Sequence, residues 1–164
     1  MPSVNLQDAR FAVVAAEWNS HITDALLDGA LKKFCEAGVA ADMIDVFRVP
    51  GTVEMTYAAA QLIKLGGYVG IVVLGCVIRG DTAHFDYVCS SVTSGITRLN
   101  AAAKTPVIFG VLTTDNEQQA LDRAGGCLGN KGEEAAECAI KMYDFTLKSI
   151  KKTSERFSSY EKNS

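Results

Sequence analysis

Residues 79–84 read Arg-Gly-Asp-Thr-Ala-His and follow directly on an apolar, β-branched run, VGIVVLGCVI, at 69–78. Gly80 allows close backbone approach, Thr82 offers a hydroxyl, and a helical pattern that begins at His84 leaves free N–H groups at its start. Such groups suit an anion, most often a phosphate. His84 adds an imidazole, the side chain best suited to exchanging protons near neutral pH. Asp81 beside a phosphate is unfavourable unless only its backbone is used.

Other residues offer complementary chemistry. Trp18 is the one tryptophan of the chain; it is either a stacking face for a flat heterocycle or an aromatic plug at a strand end. Thr52 and Glu54 can hydrogen-bond polar substituents, or they are the capped first turn of a helix. Arg123 and Lys131 flank a glycine-rich break and carry charge suited to phosphate; either can equally be a surface charge. Arg123 lies about 12 Å down a helix leaving the strand ends, and Phe109 lies in mid-strand. Neither reaches its own subunit's rim easily, which points to a neighbour's site.

The elements that must position these residues alternate. Phe11 to Ala16 reads as a buried strand, with Glu17-Trp18-Asn19 as its loop. Helical spacing over 20–37 stops at Gly38. Met43 to Val49 is the second strand, followed by Pro50-Gly51 and a helix over 52–65. The third strand, 69–78, leads into a helix from His84 to about Ala103, in which Gly95 is costly unless something packs closely there. Pro106 opens a fourth strand, Val107 to Leu112. Thr113-Thr114-Asp115 can cap a helix at 116–124, residues 125–130 are too glycine-rich to be helical, and 131–151 is a final amphipathic helix. This alternation predicts α/β architecture, a four-stranded parallel sheet with helices on both faces. All strand ends then point one way, so Trp18, the Gly-Thr-x-Glu turn and the loop before His84 converge on one rim, where open α/β folds bind ligands. The exposed sheet edges call for a cover, and a neighbouring subunit is a reasonable one.

Composition narrows the classes. With 164 residues, 48% hydrophobic, the chain suits one globular domain over 1–152, with an extended polar arm at 1–9 and a flexible polar tail at 153–164. A net charge of −3 without a basic stripe argues against nucleic acid. No apolar run approaches the ~20 residues of a membrane helix. Five cysteines, widely spaced and without a C-x-x-C, read as reduced thiols of a cytoplasmic protein. Two histidines without a ligand cluster make a zinc site unexpected.

Beyond these readings, the chain resembles the 6,7-dimethyl-8-ribityllumazine synthases from about residue 10 to 150. The resemblance rests on Trp18-Asn19, Pro50-Gly51-Thr52-Val53-Glu54, the run Val77 to Tyr87, Phe109 to Thr113, Arg123-Ala124-Gly125 and Gly129-Asn130-Lys131-Gly132. It implies a flavodoxin-like three-layer α/β/α sandwich. It also implies condensation of 5-amino-6-(D-ribitylamino)uracil with 3,4-dihydroxy-2-butanone 4-phosphate, a step of riboflavin biosynthesis that needs no metal or organic cofactor. Two small-molecule substrates and self-association follow, into pentamers and, in many members, a shell of twelve pentamers. Carried over by position, Trp18, Thr52, Val53, Glu54, Cys76, Val77, Ile78 and Phe109 hold the uracil and ribityl groups, with Phe109 reaching in from the next subunit. Asp81, Thr82 and Arg123 hold phosphate, with Lys131 a secondary candidate, and His84 transfers protons. Tryptophan at 18 is a departure, since phenylalanine is commoner there, as is Cys127-Leu128 where shell-forming members usually carry Lys-Ala.

A non-catalytic shell or flavin-storage protein on this fold would be expected to lack His84 or Arg123. A flavodoxin would want a hydroxyl-rich loop after strand one, where Glu17-Trp18-Asn19-Ser20 stands. A receiver domain would want clustered acids there and an Asp ending strand three.

Overall fold

The computed structural model describes residues 5–102 and 104–161. Four parallel strands, β1 (Phe11–Ala16), β2 (Ile44–Val49), β3 (Gly70–Ile78) and β4 (Val107–Thr114), form one sheet in the order β2-β1-β3-β4. The chain steps outward from β1 to β2, returns to β3 on the other side of β1, and continues to β4. The switch in direction therefore falls between β1 and β3.

Alternation sorts each strand's side chains to two faces. Phe11, Val13 and Ala15 of β1, with Val72, Leu74 and Cys76 of β3, pack against helices α1 (Ser20–Glu36) and α5 (Lys131–Glu161). Phe11 and Phe34 of α1 meet at 4.7 Å between ring centroids. Ala12, Val14 and Ala16, with Ile71 and Val73, pack against α2 (Met55–Leu65) and α3 (His84–Ala101). The result is the expected three-layer α/β/α sandwich. Both central strands are buried on both faces, which is why they read as continuous apolar runs.

Several boundaries differ from the sequence expectation. A single 3₁₀ turn, Ala41–Met43, precedes β2, which starts one residue later than expected. α2 starts at Met55, because residues 51–54 form a turn in which the Met55 N–H donates to the Thr52 carbonyl at 3.3 Å. β4 runs on to Thr114, paired with Ile78. Helix α4 (Glu117–Asp122) is capped by Asn116, whose side chain accepts from the Gln119 N–H at 3.0 Å, rather than by residues 113–115. The glycine-rich break folds as a small antiparallel pair, β5 (Ala124–Gly126) with β6 (Gly129–Asn130).

The two chain ends differ as well. α5 continues to Glu161 instead of ending near 151 in a tail. No Gly or Pro follows Gly132 of its first turn, and its hydroxyls turn back on the helix: Thr146, Ser149 and Thr153 donate to carbonyls four residues earlier at 2.9–3.0 Å. Of the arm expected at 1–9, residues 5–9 are not simply extended: the Ala9 N–H donates to the Leu6 carbonyl at 3.2 Å, and both side chains are buried. Residues 1–4 and 162–164 lie outside the described residues.

Gly95 has the close neighbour its position requires. A Cβ there would lie 2.2 Å from Oγ1 and 2.7 Å from Cγ2 of Thr56 on α2. Thr56 is β-branched and cannot swing its atoms aside cheaply. Gly95→Ala is expected to cost about 1–3 kcal/mol by overpacking, read as a lower urea midpoint. Adding Thr56→Ala, which removes the opposing atoms, should restore most of it.

Candidate active site

The pocket is built where β1 and β3 end side by side. After Ala16 the chain still follows its neighbour: Glu17 N–H donates to the Val49 carbonyl at 2.8 Å and Trp18 N–H to the Pro50 carbonyl at 3.1 Å. Asn19 then turns the chain. It adopts the left-handed conformation, φ 59° and ψ 45°, uncommon for a non-glycine residue but best tolerated by Asn and Asp. Its carbonyl accepts from Ile22 and Thr23 N–H at 2.9 and 3.0 Å, starting α1, while its Nδ2 donates to the Cys76 carbonyl at 3.0 Å. One residue therefore starts a helix, ties β1 to β3 and sets the direction of Trp18. The indole is 73% exposed, which settles the plug reading against it.

The second wall is the turn before α2. Thr52 is buried, its methyl packed over β3 where Gly75 leaves room: a Cβ on Gly75 would sit 2.4 Å from Thr52 Cγ2. Glu54 folds back so that Oε2 would lie 3.1 Å from a Cβ on Gly51. Thr52 and Glu54 thus do belong to the helix entry, as the structural alternative held, and still border the cavity. The floor is Cys76, Val77 and Ile78. Burial pushes the Cys76 thiol up to about 11, with a smaller contribution from the Glu117 carboxylate. The third wall is the loop into α3, where the Thr82 hydroxyl accepts from the His84 N–H at 3.4 Å.

These walls enclose a cavity of about 580 Å³ bordered by Trp18, Thr52, Val53, Glu54, Cys76, Val77, Ile78, Thr82 and His84. Asn19, Gly51, Gly80, Phe85 and Val88 complete the lining. Phe85 and Val88 are not among the residues expected from the sequence, although Val88, four residues after His84, shares its helix face. Asn19 stood in a recognised Trp-Asn pair, but its cross-strand bond has no signature in a single sequence.

Four expected site residues lie elsewhere. Asp81 is exposed and does not line the cavity, although Gly80 and Thr82 on either side do. Phe109 and Lys131 border a groove of about 870 Å³ between β4 and α5. Arg123 and Lys131 border a third hollow, at the end of β4 beside Thr113 and Thr114. Lys131 is ion-paired with Glu134 at 2.8 Å. Its position is set by Asn130, whose Oδ1 accepts from the Gly132 and Glu133 N–H groups at 2.8 and 3.3 Å and whose Nδ2 donates to the Ala25 carbonyl of α1 at 2.9 Å. One amide side chain therefore caps α5 and latches it to α1. Among the described residues, no group of three His, Cys, Asp or Glu side chains gathers to hold a metal, and no helix is long and apolar enough to cross a membrane.

The architecture is that of a doubly wound α/β protein with a small-molecule pocket at its switch point, presenting an aromatic face, a carboxylate and an imidazole. Comparison with known proteins narrows the class. Residues 8–146 match the family model described as 6,7-dimethyl-8-ribityllumazine synthase. The chain is 51% identical to the protein of that name from Phocaeicola vulgatus, over 88% of this chain and 86% of the relative. It is 52% identical to the one from Bacteroides fragilis, over 83% and 95%, and 53% identical to the one from Porphyromonas gingivalis, over 83% and 84%. The chain belongs to the 6,7-dimethyl-8-ribityllumazine synthase family.

The pocket thiol carries a prediction. With its pKa raised to about 11, Cys76 is only about one part in a thousand thiolate at pH 8. Iodoacetamide should leave it unmodified in the native protein at pH 8, while exposed Cys127 reacts. Labelling of Cys76 should rise about tenfold per pH unit until pH nears 11, read by peptide mass spectrometry. Equal labelling of both at pH 8 would contradict its desolvation.

Proposed function

We propose that this chain condenses 5-amino-6-(D-ribitylamino)uracil with 3,4-dihydroxy-2-butanone 4-phosphate to 6,7-dimethyl-8-ribityllumazine, releasing phosphate and water. The observation that carries the reading is the gathering of exposed Trp18, the Glu54 carboxylate, the Thr82 hydroxyl and the His84 imidazole around one cavity at the β1–β3 switch point. Trp18 stacks on the pyrimidinedione. Thr52, Val53, Glu54 and the Cys76–Ile78 segment border its polar edge and the ribityl chain. Thr82 and the backbone at Gly80-Asp81 take one side of the phosphate.

The amine attacks the ketone and water leaves to give an imine. Phosphate is then eliminated, and the ring closes with loss of a second water. Each step moves a proton, and His84 is placed at the rim to take and return it. Much of the remaining acceleration comes from holding two reactants together.

Phe109, Arg123 and Lys131 are read as reaching the pocket of an adjacent copy, Phe109 to close it and the two cations to complete the phosphate site. Supporting this, all three lie on or beyond β4, an edge strand, and Phe109 and Lys131 border a groove that leaves Phe145 62% exposed. This reading builds the assembly from pentamers, and native mass measurement separates five copies from a shell of sixty. The cytoplasmic placement rests on the unpaired cysteines.

Mixing purified protein with both substrates tests the reaction. Lumazine absorbance and fluorescence should appear well above the spontaneous background. His84→Ala should lower kcat by about 10²-fold without abolishing turnover, because the two reactants are still held together. Background rate from folded, assembled wild type would shift the reading to a storage or shell protein, and an unchanged His84→Ala rate would remove His84 from the chemistry.

A further inference from the structure

The first turn of α3, which carries His84, has little beneath it. Residues 81–84, 86 and 87 are all exposed, and Phe85 is only half-buried. The buried residues of α3 are Val92 and Ile96, the nearer of them more than two turns beyond His84. The helix N-cap, Ala83, has no side-chain cap, and the bond from His84 N–H to the Thr82 hydroxyl is long at 3.4 Å. Core packing therefore does not explain how the imidazole is held at a fixed place on the rim.

Arg79 does what the core does not. Its backbone N–H donates to the Thr114 carbonyl at 2.8 Å, which extends the β3–β4 ladder by one bond beyond Ile78. From that fixed base the guanidinium makes three contacts. Nε donates to Asp115 Oδ1 at 2.9 Å, Nη1 donates to Asp86 Oδ1 at 3.3 Å, and Cζ lies 4.1 Å from the centroid of the Phe85 ring. Phe85 and Asp86 are the two residues that follow His84, and Asp115 follows the last residue of β4. A planar fork with five donors can meet two carboxylates and one ring face at once, which an ammonium cannot. Ile78 and Gly80 line the cavity, but Arg79 between them does not.

We propose that Arg79 is a positioning residue that clamps the first turn of α3 to the end of β4 and thereby fixes the His84 imidazole for proton transfer. The proposal rests on the reading of His84 as the proton-transfer group. Both carboxylates and the guanidinium are well exposed, with side-chain exposures of 65%, 68% and 45%, so each ion pair by itself adds little to global stability. The clamp acts on placement, and its loss should appear in turnover rather than in melting. Since a displacement of about 1 Å can cost up to 10²-fold in rate, an effect of at least tenfold is expected.

The test is a kinetic cycle in the full-length assembled protein with Arg79→Met, Arg79→Lys, His84→Ala and the double variant Arg79→Met/His84→Ala. Arg79→Met should lower kcat by about tenfold or more, while KM for the aminouracil changes by less than about twofold, because Trp18 and Glu54 are untouched. Arg79→Lys keeps the charge without the fork and should recover only part. In the His84→Ala background, Arg79→Met should cost less than about twofold, since nothing remains to position. The same tenfold loss in both backgrounds, or a loss confined to KM, overturns the proposal. A wild-type rate for His84→Ala alone overturns the proton-transfer reading instead. If Arg79→Met does not assemble, Asp115→Asn and Asp86→Asn, each removing one arm of the clamp, are taken through the same cycle with the same criteria.

Discussion

The pairing of β1 with β3 is the constraint on which the rest depends. The strands are adjacent in space but separated in sequence by a complete excursion through α1, β2 and α2. Their register, Phe11 against Gly70 through Ala15 against Leu74, sets the two loops after them at one height. β2 and β4 then add outward in opposite directions, which opens a crevice at the carboxyl ends of the central pair. Asn19 closes the arrangement with its bond to the Cys76 carbonyl. A shift of one residue between the strands would send every buried side chain to the other face and separate Trp18 from the loop leading to His84.

Legibility in the sequence follows from how local each cause is. β1 reads correctly because six apolar residues are bounded by a charge on either side, Arg10 and Glu17. Gly95 reads correctly because a helix tolerates glycine only for a reason, and Thr56 is that reason. The convergence of Trp18, Thr52, Glu54, Thr82 and His84 needs only strand–helix alternation. The structure also decides between open alternatives: the indole of Trp18 stands free, while Thr52 and Glu54 serve a helix entry and border the cavity together. The extent of α5 was not legible. Its last turns are rich in Ser, Thr, Lys and Glu, a composition that suits disorder and exposed helix equally well, so the sequence alone does not tell them apart. The caps failed for a similar reason, since Thr113, Thr114, Asp115 and Asn116 are all capable and register alone selects Asn116.

The site residues divide along a physical line. Those that meet at the pocket hang from β1, β2 and β3. Of those that do not, Asp81 stands on the loop after β3 with its side chain outside the pocket, and Phe109, Arg123 and Lys131 hang from β4 or from the segment after it. Asn130 spends all its polar atoms on fixing that segment to α1 and α5. The proposed sharing of the site between copies would give these cations a pocket to serve that is not their own chain's.

Within the pocket, proton chemistry falls to few groups. Cys76 is the nearest competitor as nucleophile, and desolvation holds it as a thiol. Its inertness is useful beside a keto-phosphate substrate, which a thiolate would attack. Glu54 is turned toward the entry of α2, where a carboxylate favours the helix dipole. His84 stands at the opposite wall, on a helix start that hydrophobic packing reaches only two turns later. The proposed proton transfer at such a point needs freedom for substrates to enter and fixity for one imidazole. An exposed charge network beside a thinly packed turn supplies the second without closing off the first, because it holds the helix from behind the Phe85 ring and leaves the cavity face open.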